Sequence, residues 1–310
     1  MDPAQALDYI GAAAGQIGDL DGRFLALALV LQLANLVLRS LAWRNVVAAA
    51  YPDRSVPLLG VAASYAAGVA ANSFLPARGG EAVKVALLRT QVPRSSVATL
   101  AAAGSVVILL DTALAALLLA CAWLLGAVPA LPAPPMLADH AAVKVLAAAA
   151  GVLLAVTLGR RLLAHAPGRV RRVTGQLRQG VAILGDPARY ARSVASLQLA
   201  GWGCRIGVAF AVLAAFGLPA TVQLAVLVVV VGGMSTLVPA TPGGVGTQQV
   251  MIVYALHETV STANALAFSI GMQAGVTAVN TLIGVTAVML IFRTVRPWAA
   301  ARAFAAARRR

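Results

Sequence analysis

The sequence predicts an all-α fold: a polytopic integral membrane helical bundle with two re-entrant, broken segments in an inverted repeat. Three observations predict it. The 310 residues are 60% hydrophobic and 11% charged, with mean hydropathy +0.86. Several apolar runs exceed the ~18 residues that mark a membrane-spanning helix. Two stretches, NSFLPARGGEAVKVALLRT (72–90) and STLVPATPGGVGTQQVMIVYAL (235–256), each break an apolar run with a proline and a glycine pair. Each then resumes as a short amphipathic segment. Aligning Pro76 with Pro239 sets Ser73 on Thr236, Phe74 on Leu237, Leu75 on Val238 and Ala77 on Ala240. Gly79-Gly80 then meets Gly243-Gly244 after one inserted residue. Paired interruptions of this kind point to a transporter-like binding site near the bilayer midplane.

The elements follow in order. Residues 1–22 form a short leader with Asp2, Asp8, Asp19 and Asp21 and no basic residue, the wrong start for a cleaved signal peptide. A transmembrane domain is expected over 23–295, in halves of about 23–159 and 193–295, joined by a basic cytoplasmic segment 160–192 and followed by a basic tail 296–310. Full spans are expected at about 24–44, 57–75, 97–125, 141–159, 194–216, 220–238 and 262–292. Gln32 and Asn35 share one face of the first span and read as an interhelical hydrogen-bonding pair. The second span is rich in Ala and Gly, which lets backbones approach closely. Segment 160–192 carries eight arginines against Asp186 and reads as amphipathic helix on anionic headgroups. Cys121 and Cys204 fall inside spans and read as small core residues.

Positive charge then sets topology. Arg39, Arg44 and Arg54 mark the first loop as cytoplasmic, the proline-rich stretch 126–140 has no basic residue, and six arginines follow the last span. The expectation is a cell (inner) membrane protein with its N-terminus outside and its C-terminus cytoplasmic. The first broken segment, with Arg78, Lys84, Arg89 and Arg94, must bring the chain inward, and the second must return it outward. Each has about fifteen helical residues, roughly 22 Å at 1.5 Å per residue. That is short of the ~30 Å hydrocarbon core.

Candidate ligand residues gather at these breaks. Gly79, Gly80, Gly243, Gly244 and Gly246 precede short helices, where free N–H groups and the helix dipole favour an anion; the alternative is tight packing. Arg78 offers a planar fork for phosphate. Glu81 reaches Lys84 at i,i+3 as a local ion pair or serves the site. Asp111 and Arg205 are intramembrane charges that either pair with each other or touch a solute. Asn72, Pro242 and Gln249 complete the candidate set, with His257 and Glu258 reading as interfacial surface.

NSFLPARGGEAVKVALL resembles the N-x-x-x-P-x-x-x-GE signature of the lysylphosphatidylglycerol synthase transmembrane-region family of flippase-like proteins, and VPATPGGVGTQQ is similar to its second signature, P-x-x-PGG-x-G followed by a glutamate. The resemblance covers about residues 20–295. Gln248-Gln249 stands where that glutamate is usual, and Val107-Ile108 stands where members often place Glu-Arg ahead of the aspartate matched by Asp111. The usual extra N-terminal span is expected to be missing here. The resemblance implies a membrane domain that moves or handles phospholipid, aminoacyl-phospholipid or glycolipid precursors. The soluble aminoacyl-transferase domain of bifunctional members is not expected, so lysine transfer is not, and the first expectation is a protein that is not an enzyme. The alternatives are an accessory subunit of a lipid or glycan synthase, a membrane enzyme on a lipid-linked substrate, and a small-solute carrier. Anionic membrane lipids are the expected partners. Nucleic acid is excluded because the net charge of +14 sits in loops and tail rather than on a soluble basic domain. No metal or cofactor motif is present in the sequence.

Overall fold

The computed structural model describes residues 20–75, 79–124, 168–235 and 244–292. The expected leader up to residue 19, and the fourth span, proline-rich loop and tail, lie outside them. Every regular element among the described residues is helical: α1 (Gly22–Ala50), α2 (Leu58–Asn72), α3 (Gly80–Gln91), α4 (Val97–Leu124), α5 (Gly168–Gly180), α6 (Pro187–Ala215), α7 (Val222–Ser235), α8 (Thr247–Leu256) and α9 (Thr262–Phe292).

Local chemistry sets the boundaries. The Asp21 carboxylate accepts the Arg23 N–H at 2.8 Å and caps α1. No proline follows until Pro52, so α1 runs six residues beyond the expected end at 44. Arg44 and Asn45 stay helical because each finds a distant carbonyl: Arg44 Nε donates to Val56 at 3.1 Å and Asn45 Nδ2 to Ser193 at 2.8 Å. Asp186 caps α6 by accepting the Arg189 N–H at 2.9 Å, with Pro187 in the first helical position. A single π turn, Ala191–Ala195, interrupts α6. The helix stops at Gly217, whose φ of 64° suits glycine, and Leu218 N–H bonds back to Leu213 at 3.0 Å.

Helices α1, α4, α6 and α9 are long and apolar enough to cross a membrane. Helices α3 and α8 have 12 and 10 residues, shorter than expected from sequence and about 15–18 Å long. Among the described residues, α1–α4 and α6–α9 thus each run long, short, short, long. The helix starts at 22, 58, 80 and 97 recur at 187, 222, 247 and 262, an offset of 164 to 167 residues. The repeat noticed at two glycine motifs extends through both halves.

The halves are related in opposite senses. Helix α1 packs along α6, its counterpart, and the contacts fix the direction. Asn45 meets Ser193, Gly201 faces Asn35 and Arg39, Gly207 faces Leu31, and Asp21 N–H bonds Ala215 O at 3.2 Å. Residue numbers rise on one helix as they fall on the other, so the pair is antiparallel. Counterpart helices running antiparallel are what an inverted repeat requires. Close contacts recur as well: a Cβ on Gly68 would lie 2.7 Å from Lys84 Cβ, and one on Gly232 would lie 3.5 Å from Gln248 Nε2. Each pair is offset from the other by the same 164 residues.

Each half has its own core. Trp43, Val46, Val61, Leu88, Leu100 and their neighbours fill the first. Leu213, Val228, Ile252, Leu256 and Phe268 fill the second.

Candidate functional site

The candidate site grows from one face of α1. Gln32, Asn35, Arg39 and Trp43 are spaced three, four and four residues apart, which aligns them along the helix. All turn into the bundle. Gln32 Nε2 donates to Asn280 Oδ1 of α9 at 2.8 Å. Arg39 Nε donates to the Tyr65 hydroxyl of α2 at 2.8 Å, and its Nη2 forms an ion pair with Asp111 Oδ2 of α4. The other Asp111 oxygen accepts the Trp202 indole N–H of α6 at 3.0 Å. The Arg205 guanidinium lies 4.6 Å above the Trp202 ring.

Lys84 of α3 joins the same cluster from the other side. Its side chain is only 4% exposed, its Nζ lies 2.5 Å from Glu81 Oε2, and it sits 4.9 Å from the Trp43 ring centre and 5.2 Å from that of Tyr65. A carboxylate and two aromatic faces together compensate an ammonium taken out of water. Lys84 therefore belongs to the buried cluster, and its pairing with Glu81 is the local i,i+3 ion pair that the sequence offers as one reading.

Glycines bring the lysine in. A Cβ on Gly80 would sit 2.0 Å from Gly68 O and 2.6 Å from Asn72 Oδ1, so α3 lies on α2 with no side chain between them. Asn72 Oδ1 accepts the Gly80 N–H at 2.8 Å and seals the turn. In the second break, Gly246 at φ 86° donates its N–H to Gln249 Oε1 at 2.6 Å, and Gln249 Nε2 binds Gln273 Oε1 of α9. The N–H groups of Gly80 and Gly246 are thus spent on side chains in this arrangement. Gln249→Leu is expected to free two polar groups at once and lower stability by about 1–2 kcal/mol, read as a fall in the thermal midpoint in detergent.

The sequence-derived candidates divide as follows. Arg78, Pro242 and Gly243 lie outside the described residues. Asn72, Gly79, Gly80 and Glu81 stand at the α2–α3 break, while Gly244, Gly246 and Gln249 stand at the α7–α8 break. Helix α3 packs on α2 and α4, and α8 on α7 and α9. Asp111 lies in the cluster with Arg39 and Trp202, and Arg205 reaches it through the Trp202 ring. In the sequence Arg39 reads as a loop marker, and no motif there singles out Trp43, Tyr65 or Trp202. The alignment of Gln32, Asn35, Arg39 and Trp43 on one helical face was the signal available.

In the cluster Arg39 pairs with Asp111 and Lys84 with Glu81, while the Arg205 guanidinium rests over the Trp202 ring. Arg39 Nη1 and Trp43 Nε1 are buried donors without a hydrogen-bond partner among the described residues. Unspent buried donors beside charged side chains suit a ligand that accepts hydrogen bonds.

Two inverted halves around a buried ionic cluster define a polytopic helical membrane domain. The chain belongs to the lysylphosphatidylglycerol synthase TM region family, whose model matches residues 11–284. It is thus a lipid-related, multi-pass membrane protein. Comparison with curated proteins and with solved structures gives no significant match.

Proposed function

We propose that this domain translocates membrane lipids, passing an anionic, phosphate-bearing headgroup along the polar face of α1. One observation carries the reading: a connected ionic cluster drawn from α1, α2, α3, α4 and α6 lies midway along the spans. Arg39 is residue 18 of 29 in α1, and Asp111 is residue 15 of 28 in α4. Charged side chains at mid-span cost about 2.5–3.5 kcal/mol each on insertion scales, and those in membranes mark substrate paths. The substrate class is phospholipid, aminoacyl-phospholipid or glycolipid precursor. Of the candidates at the breaks, Glu81 adjoins this path through its ion pair with Lys84. The domain acts without catalysis, in the cell membrane, with anionic lipids as its partners.

Reconstitution tests this. Vesicles containing the purified chain and a headgroup-labelled phosphatidylglycerol are expected to move label between leaflets faster than empty vesicles. Movement that begins only when a lipid or glycan synthase is added supports the accessory-subunit reading instead. No movement under either condition overturns the proposal.

A further inference from the structure

Within the arginine-rich stretch 160–192, the described residues form α5, a 3-10 turn at Ala182–Gly185 and the start of α6. Helix α5 is held to the bundle at its C-terminal end. A Cβ on Gly180 would collide with Thr99 O and lie 2.6 Å from Ala102 Cβ, so α5 rests on the first turns of α4 with no side chain between them. Gln179 Nε2 donates to the carbonyl of Ala50, the last residue of α1, at 2.8 Å. These contacts fix the height of α5. It lies where one membrane-spanning helix ends and another begins, at one edge of the hydrocarbon layer.

The stripe that makes this contact does not stop at Gly180. Leu177 and Val173 stand three and seven residues before it, on the same side of the helix. They are 42% and 46% exposed. Arg172 and Arg178 flank the stripe, one on either side. Both are exposed, and neither meets a carboxylate among the described residues. Tyr51, Val92 and Ile183 share one core at this end of the bundle. Around them the exposed Arg89, Arg94, Arg189 and Arg192 outnumber Asp53 and Asp186, and none of the four is ion-paired among the described residues.

We propose that α5 is an interfacial helix that binds anionic phospholipid, with Val173 and Leu177 at the acyl boundary and the Arg172 and Arg178 guanidiniums on the phosphates. Two features select this occupant. The bilayer already lies at this height, because α1 and α4 cross it, and the exposed stripe continues the face that docks on α4. The flanking arginines supply the charge: their apolar stems follow a sunken stripe while their heads stay in the headgroup layer, where unpaired guanidiniums attract anionic lipid. This contact goes beyond the translocation reading and does not depend on it, since it lies at the surface rather than at mid-span. Gly180 ties it to α4, the helix that carries Asp111.

Depth-dependent quenching tests this with the whole chain in vesicles, in a Cys121→Ser, Cys204→Ser background. A bimane is attached at Val173→Cys or at Gly175→Cys, a position off the stripe with nothing within 4 Å of an added Cβ. In vesicles containing phosphatidylglycerol, chain-brominated lipid should quench position 173 several-fold more than position 175, and a water-soluble nitroxide should do the reverse. In phosphatidylcholine alone the difference should shrink. Arg172→Gln with Arg178→Gln, at native thermal midpoint, should bring quenching at 173 in phosphatidylglycerol down to its phosphatidylcholine level. Equal quenching of the two positions by brominated lipid overturns the inference. Quenching at 173 that ignores both headgroup and arginines overturns it too, because charge then selects nothing. Strong aqueous quenching at 173 in every vesicle also overturns it and leaves the stripe to a protein partner. The depth of α5 is read without lipid movement, so a failed translocation assay leaves this result standing, and a water-exposed α5 leaves translocation standing.

Discussion

Asp111→Asn is expected to destabilise the protein by about 3 kcal/mol, because it strands the Arg39 charge inside the span. The two side chains are mostly buried, 11% and 19% exposed, so water compensates little. The single variant cannot separate structure from function, since an unstable protein moves nothing. The double variant Arg39→Gln, Asp111→Asn can. It removes both charges and keeps groups that hydrogen-bond Tyr65 and Trp202, the existing neighbours. Its thermal midpoint in detergent should recover most of the loss, as expected when a buried pair is replaced as a unit. Lipid movement in vesicles should stay abolished, because the headgroup loses its cation. A double variant that recovers both stability and movement would falsify a functional role for this pair and leave it a structural tie.

Gly80→Ala should be the most damaging small substitution at the α2–α3 break. The new methyl would meet Gly68 O at 2.0 Å and Asn72 Oδ1 at 2.6 Å, so a backbone must move. Overpacking of this kind costs typically 1–3 kcal/mol and occasionally more. The shift would also pull α3, and Lys84 with it, off the Trp43 and Tyr65 rings. A red shift and gain of quenching in tryptophan fluorescence should accompany the lower thermal midpoint. Gly203→Ala is the control: nothing lies within 4 Å of its added Cβ, and alanine favours the helix. Its midpoint should match or exceed that of the parent. Equal behaviour of the two variants would show that the seam is looser than its atoms suggest.

Much of this was legible in the sequence because membranes impose simple rules. Apolar runs gave the spans, and proline and glycine pairs gave the two breaks, since few residues other than these interrupt a helix in lipid. The match of Pro76 with Pro239 pointed to a duplication that the helix starts then carried through both halves. The ends of α1 were less legible, because Arg44 and Asn45 look like loop residues until Val56 and Ser193 are placed beside them. The charged cluster was harder still. Arg39 and Lys84 obey the positive-inside pattern when counted along the chain, and only packing shows that both point inward. The sequence offers Arg205 or a solute as the partner of Asp111, whereas the ion pair is with Arg39, 72 residues away, because nothing in the local spacing connects the two.

The duplicated halves differ at one telling position. Lys84, wedged beside Gly68, is matched by Gln248 beside Gly232, so an ammonium in one half answers to an amide in the other. Perfectly interchangeable halves would present the same electrical surroundings to both leaflets. This chain does not: where the first half buries an ammonium ion-paired with Glu81, the second places a neutral amide.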